Sequence, residues 1–436
     1  MSSDSDIEQT ISKMDRGFYP RNIAVIGAAR HNQHRWLKAH LPFHQNHGTV
    51  FNVNIDEDEW PGASELNIKS FKSILDIEDP IDYVTLSVPR RIVPNLIREC
   101  VEKQVTVAHI YSAGFDESGE EEGILLHHEI QQLANDAGLL IIGPNCMGLF
   151  NPSVGIRQSE AQYYGEQGHF GYISQSGSMA IGMVMEANSE NLKMSKCISM
   201  GNGMVLDVAD YLEYLRADIN TKIIGMYIEG VRNPQGFFKS LRRTTIKKPV
   251  VVWKVGQTED SARATQAHTG TSYIREEIWN SLISRCGAIA AESQEQMIAL
   301  SRSLSLMSHS TGYNVGLYAS SGGHSTDMAN VFSQNGFKVV PLTDSSNKQL
   351  SSFLDLIGRN FVNPIQQAPQ EHFERIVNIL CQDGNTDIVI LELPRNRFVN
   401  NDALIDERIA IIKRTQMNTT KPIAVVLSPG HPRQSP

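Results

Sequence analysis

Three short segments of this chain combine residue types that suit phosphate chemistry. The first is Thr265-Gln266-Ala267-His268-Thr269-Gly270, which follows the β-rich run Pro249–Lys254 and a polar loop from Gly256 to Arg263. A histidine placed between Ala and a Thr-Gly turn is open to reaction, and a neutral imidazole nitrogen is a nucleophile near pH 7. The other two, Ile173-Ser174-Gln175-Ser176-Gly177-Ser178 and Ala319-Ser320-Ser321-Gly322-Gly323-His324, read as glycine turns that open helices. Helix N-termini present free N–H groups and partial positive charge, so they attract anions. A histidine able to visit two such turns could carry a phosphoryl group.

Elements must position these residues. From about Pro20 the chain alternates β-branched runs with helical patterns, which predicts parallel, doubly wound sheets. The expected fold is α/β with three consecutive doubly wound domains: a Rossmann-like domain over 17–150, then two flavodoxin-like domains over 151–307 and 308–436. Residues 1–16 are expected as a polar N-terminal tail. After the last expected strand, Pro422–Leu427, no closing helix pattern follows, which suggests a shortened third domain or a cover supplied by a partner.

Composition narrows the function classes. Over 436 residues, 41% are hydrophobic and 20% charged, as in globular domains. A net charge of -9 argues against general nucleic-acid binding, whose footprint is a basic stripe, while leaving room for a small polyanion held by local loops. No apolar run approaches the ~18 residues that cross a bilayer, and the acidic start Met1–Asp6 reads as neither signal nor transit peptide. Five cysteines without CxxC spacing fit reduced thiols in a cytoplasm. Among His31, His34, His40, His44 and His47 no acidic or thiol ligand interleaves, so they are expected as a polar helix face and no metal site is assigned.

The ordered landmarks define a resemblance. They run Ala24–Ala28, Val53-Asn54, Val88-Pro89, Ser112–Glu117, Gly143–Gly148, Ser174–Gly177, Gly201-Asn202, Tyr227–Gly230, Lys254–Gly256, His268–Gly270, Ser321–Gly323 and Asn363-Pro364. The chain resembles the α subunit of the NDP-forming acyl-CoA synthetases, the family of ADP-forming acetate–CoA ligase and succinyl-CoA synthetase.

That resemblance implies a phosphoryl-carrying His268 oriented by Glu229. It implies phosphate binding by Gln175, Ser176, Gly177 and Ser178, and by Ser321, Gly322 and Gly323. CoA and its acyl group would meet Gly27, Ala28, Ala29, Arg30, Val53, Asn54, Pro89, Ser112, Gly114, Phe115, Asn145 and Cys146, with Cys146 packing beside the site. The cofactor is CoA. ADP or ATP with Mg2+ is expected on a separate ATP-grasp β subunit, in a hetero-oligomer acting on a small carboxylic acid or acyl-CoA.

Departures concentrate around CoA. The loop Ala29–Trp36 lacks the family's later glycine, and Val53-Asn54 runs into Asp56-Glu57-Asp58-Glu59 where the family has Pro-Lys. Arg30, His31, His34 and Arg35 stand opposite those acids as compensating charge. Asn363-Pro364-Ile365-Gln366 lacks the family's aspartate. Two other readings draw on the same residues. A catalytically inactive CoA- or acyl-CoA-binding regulatory protein would account for the eroded loop. A nicotinamide oxidoreductase would use the first domain, but Gly27-Ala28-Ala29 is not Gly-x-Gly-x-x-Gly.

Overall fold

A computed structural model describes residues 4–256, 260, 275–306, 310–354, 363–366, 369–393 and 402–427. The segment holding His268 lies outside the described residues. Two compact units divide the chain, Met1–Ser305 and Leu306–Pro436.

The first unit carries two sheets. Strands β1 (Asn22–Ile26), β2 (Thr49–Val53), β3 (Lys69–Phe71), β4 (Tyr83–Leu86), β5 (Val107–Ile110) and β6 (Leu140–Ile142) run parallel in the order β3-β2-β1-β4-β5-β6. Successive side chains of a strand face opposite ways, so both faces of a doubly wound sheet must be apolar. Accordingly Ile23 and Val25 enter one core, while Ala24 and Ile26 enter the other. The order reverses between β1 and β4, and the loops at their carboxyl ends therefore diverge into a crevice.

In the second sheet, β7 (Gly148–Phe150), β8 (Phe170–Ser174), β9 (Met194–Ser199), β10 (Ile223–Ile228), β11 (Val250–Lys254) and β12 (Ile289–Ala291) take the order β12-β11-β10-β8-β9-β7. β7 is antiparallel to β9. One hydrophobic core runs from Val25, Tyr83 and Val107 through Cys146 and Met147 to Ile173, Ile198 and Met226, joining the two sheets. The second unit holds β13 (Asn314–Ala319), β14 (Lys338–Val339), β15 (Ile365–Gln366), β16 (Ile388–Leu393) and β17 (Ile423–Leu427). Its order is β14-β13-β16-β17, with β15 also on β13, all parallel. The expected α/β architecture of three sheets is present.

Two expectations are corrected. The expected polar tail, 1–16, is largely helical: a helix spans Asp4–Phe18, because Ile7, Ile11, Met14 and Phe18 share one face at helical spacing. Met14 and Phe18 are buried, and Phe18 stacks on Tyr214 at 4.9 Å between ring centres. The histidine-rich run is not a polar face throughout. His40 and His34 are buried, and burial pushes the His40 imidazole down to about 3.

Candidate active site

The loop after β1 is held in a narrow conformation. Gly27 has φ +90°, and a Cβ there would lie 2.4 Å from the Ser87 carbonyl oxygen, so only glycine fits. Asn32 takes the place of further glycine chemistry: its amide nitrogen donates to the Gly27 carbonyl at 3.0 Å and its oxygen accepts the Ala29 N–H at 3.0 Å. Asn54, one residue past β2, donates to the Ala28 carbonyl at 2.9 Å. Gln33 and His34 adopt left-handed φ of 55° and 52°, supplying the bend where the closing glycine is missing. Ala28 and Ala29 are buried beneath the loop, as is Val53.

The acidic run beside this loop is partly matched by cations. Glu59 accepts the Arg30 N–H at 2.7 Å and meets its guanidinium at 3.3 Å. The Arg30 backbone N–H chiefly holds this carboxyl below its usual range. Glu57 pairs with Lys72 at 2.6 Å, a lysine the sequence reading overlooked because it follows β3 rather than β2.

Past the neighbouring strands β4 and β5, the Ser112 hydroxyl donates to the carbonyl of Val88, the residue before Pro89. The next residues fold back on themselves. Glu117 accepts the N–H groups of Gly114 and Phe115 at 2.6 and 3.1 Å. Phe115 is fully buried in the second core, so its side chain supports the loop from below and does not face the crevice.

The loop after β6 meets the second sheet. Asn145, at φ +58°, donates its N–H to the Ser112 carbonyl at 2.9 Å, and Met147 donates to Ser199 Oγ at 2.9 Å. Cys146 is buried, and burial pushes its thiol up to about 12, which suits packing rather than nucleophilic attack. Opposite stands the turn after β8, where Ser176 in extended conformation precedes the helix Gly177–Ser189. A Cβ on Gly177 would sit 2.8 Å from Met147 Cγ, so glycine lets the helix N-terminus close on the Asn145–Met147 loop.

Between them lies a cavity of about 370 Å³. Two clusters far apart in sequence share its walls: Ser112, Asn145 and Cys146 from one side, and Gln175, Ser176, Gly177 and Ser178 from the other. Gly27 to Arg30, Val53, Asn54, Pro89, Gly114 and Phe115 lie outside this lining. Behind it Arg35 reaches the Tyr111 hydroxyl at 3.5 Å.

Gln175 also builds the strand end that carries Glu229. Its side-chain oxygen accepts the N–H groups of Glu229 and Gly230, and its nitrogen donates to the Gly230 carbonyl at 2.9 Å. Glu229 is only 5% exposed, so it is not the solvated residue that strand ends usually carry. Lys254, last in β11, donates to the Glu229 carbonyl at 3.0 Å. Burial pushes this ammonium down to about 8, with the Glu229 carboxylate opposing the fall. Lys254, a landmark only in the sequence, thus touches the backbone of Glu229, although neither residue is among those that line the cavity.

Nearby, Asp116 binds Arg232 at 2.6 Å, His127 at 3.1 Å and Asn202 at 3.2 Å, tying the Ser112–Glu117 loop to the segments after β9 and β10. Burial works against its ionisation, yet the His127 hydrogen bond and the Arg232 charge bring its carboxyl down to about 2.

In the second unit, Ser321 caps the helix Gly322–Gln334 by accepting the His324 N–H at 3.3 Å. Asn363 is buried. It accepts the Leu317 N–H at 2.8 Å and donates to the Val315 carbonyl at 2.7 Å, a structural tie for β13.

Residues 21–152 match a family described as a CoA binding domain, and 167–304 match a succinyl-CoA ligase like flavodoxin domain. The α subunit of Pyrococcus furiosus acetate–CoA ligase [ADP-forming] II is 31% identical over 422 residues, covering 96% of this chain and 90% of that one. Acetate–CoA ligase [ADP-forming] I of Archaeoglobus fulgidus is 32% identical, but this chain spans only 54% of its length. Among solved structures, a dinucleotide forming acetyl-coenzyme A synthetase 1 of Ca. Korarchaeum cryptofilum, in complex with phosphate and ADP, superposes with a TM-score of 0.83. It is 25% identical, over 96% of this chain and 89% of that one.

A Rossmann-like sheet sharing one cavity with a flavodoxin-like sheet is the framework of an acid–thiol ligase. The chain belongs to the ADP-forming acetate–CoA ligase family of NDP-forming acyl-CoA synthetases, in which it corresponds to the α subunit. The relatives are named as ligases, which leaves the inactive-regulator reading without support.

Proposed function

We propose that the chain works as the α subunit of an ADP-forming acyl-CoA ligase. It interconverts acyl-CoA, ADP and phosphate with a carboxylic acid, CoA and ATP. The observation that carries this reading is the cavity in which the Asn145–Met147 loop faces the Gln175–Ser178 helix start. In the synthetic direction for ATP, phosphate oxygen attacks the thioester carbonyl, the C–S bond breaks, and CoA thiolate leaves. The helix N-terminus at Gly177-Ser178 offers N–H donors to the phosphate, and Asn145 offers a donor to the acyl oxygen. The acyl phosphate then passes its phosphoryl group to a nitrogen of His268 and releases the carboxylate. Glu229 holds the other ring nitrogen and balances the charged ring.

CoA itself enters the crevice between the ends of β1 and β4, with Gly27, Ala28, Ala29 and Arg30 toward its diphosphate, and Asn54, Pro89, Ser112 and Gly114 around them. Ser321, Gly322 and Gly323 receive the phosphohistidine at a second station. ADP and Mg2+ belong to an ATP-grasp β subunit, and the working enzyme is a hetero-oligomer. Five buried, unpaired cysteines support a reducing, cytoplasmic setting, and the acidic balance supports a role apart from nucleic acid. No helix among the described residues is long and apolar enough to cross a membrane.

The test is reconstitution. The chain with an ATP-grasp subunit, acyl-CoA, ADP and phosphate forms ATP and free CoA in equal amounts. ATP formation by the isolated chain would remove the requirement for a second subunit.

A further inference from the structure

The second unit contains an imidazole–carboxylate pair that the proposed mechanism does not use. β13 and β16 are neighbours, with Tyr318 opposite Leu391. At their carboxyl ends stand the Ser320-Ser321 turn and Glu392. The Glu392 side chain is 5% exposed, whereas that of His324, third in its helix, is 57% exposed. Both carboxylate oxygens are engaged: Oε2 accepts the Ser320 N–H at 2.7 Å, and Oε1 lies 2.7 Å from His324 Nδ1. A carboxylate has no proton to offer, so Nδ1 carries the ring proton and the lone pair resides on Nε2.

Ser320 Oγ lies 3.0 Å from the same Nδ1. A serine nucleophile would need the opposite nitrogen as its base, so the group this arrangement activates is the imidazole. Burying a carboxylate is costly unless its bonds are satisfied, and here a backbone N–H anchors it in the orientation that serves His324.

We propose that His324 is a second phosphoryl-accepting residue, modified on Nε2; this rests on the acyl-phosphate chemistry proposed above. The Nε2 lone pair attacks the phosphorus of an acyl phosphate and forms a P–N bond. The P–O bond to the acyl oxygen breaks, and the carboxylate departs with that electron pair. The Nδ1 proton stays in place, and Glu392 balances the charged ring.

The experiment treats the full chain with acetyl phosphate and locates acid-labile, hydroxylamine-stable phosphate on peptides by mass spectrometry at alkaline pH. Label on the His324 peptide is expected in the native chain and in His268→Ala. It disappears in His324→Gln, which still labels His268, and in Glu392→Gln it forms slower by roughly a factor of ten or more. If Glu392→Gln does not fold, the native and His268→Ala peptides decide. Label on His268 alone overturns this proposal and leaves the ligase reading standing, whereas label on neither histidine overturns both. Acid-stable phosphate on Ser320 or Ser321 assigns the serine and overturns it as well.

Discussion

At the scale of single residues, several buried side chains serve mainly to hold other groups in place. Gln175 makes three hydrogen bonds to the strand end carrying Glu229, so Gln175→Ala leaves buried N–H groups unpaired. An unsatisfied buried group costs about 1–3 kcal/mol, and the variant is expected to melt earlier and to turn over roughly tenfold slower or worse. Paired thermal melts and initial rates check this; unchanged rates would remove Gln175 from the site. Glu59 makes a different prediction. In the proposed CoA mode a diphosphate lies beside the Arg30 N–H that this carboxylate now holds, so Glu59→Gln, which removes the repelling charge, should tighten CoA binding roughly two- to fivefold by calorimetry. Weaker binding would show that Glu59 helps rather than competes.

The Gln175–Ser178 turn was legible as a glycine turn opening a helix, which begins at Gly177, whereas Gly27, Asn54 and Glu229 stood out through the family resemblance and not through residue type. The roles of Lys254 and Lys72 were not legible, because they come from strands that neighbour the site in space. Phe115 was misplaced because an aromatic residue in a loop motif can face either cleft or core, and nothing local decides between them.

At the scale of elements, apolar β-branched runs revealed the long strands, since a buried parallel strand has few other ways to be written. Lys69–Phe71, Gly148–Phe150, Ile289–Ala291 and Ile365–Gln366 are not legible as strands; two or three residues carry no periodicity. The first helix was missed because charge masks its stripe of Ile7, Ile11, Met14 and Phe18. Phe18 is fully buried and stacks on Tyr214, so Phe18→Ala is expected to destabilise the first unit by roughly 3–5 kcal/mol in urea unfolding. A change under ~1 kcal/mol would mean that the helix is an ornament to the core.

At the scale of the whole molecule, stability should fall in mild acid. His40 and His109 are buried in the first unit, and burial pushes them from 6.5 down to about 3 and about 4. Between pH 6.5 and those values the unfolded chain binds protons that the folded chain refuses. Each histidine therefore removes about 1.4 kcal/mol per pH unit as pH falls through that window. His40→Phe should flatten the decline by about that slope, measured from urea midpoints at pH 7 and pH 5. An unaltered slope would place the acid sensitivity elsewhere.

The central claim is that this chain cleaves an acyl-CoA with phosphate and keeps the phosphoryl group on His268. The most direct measurement incubates the purified chain with inorganic phosphate and a panel of acyl-CoAs, following free CoA and the phosphopeptide together. The account predicts CoA release matched by acid-labile phosphate on the His268 peptide, with the phosphopeptide absent in His268→Ala. An acyl-CoA that binds but releases no CoA, with His268 unmodified even beside an ATP-grasp subunit, would contradict it.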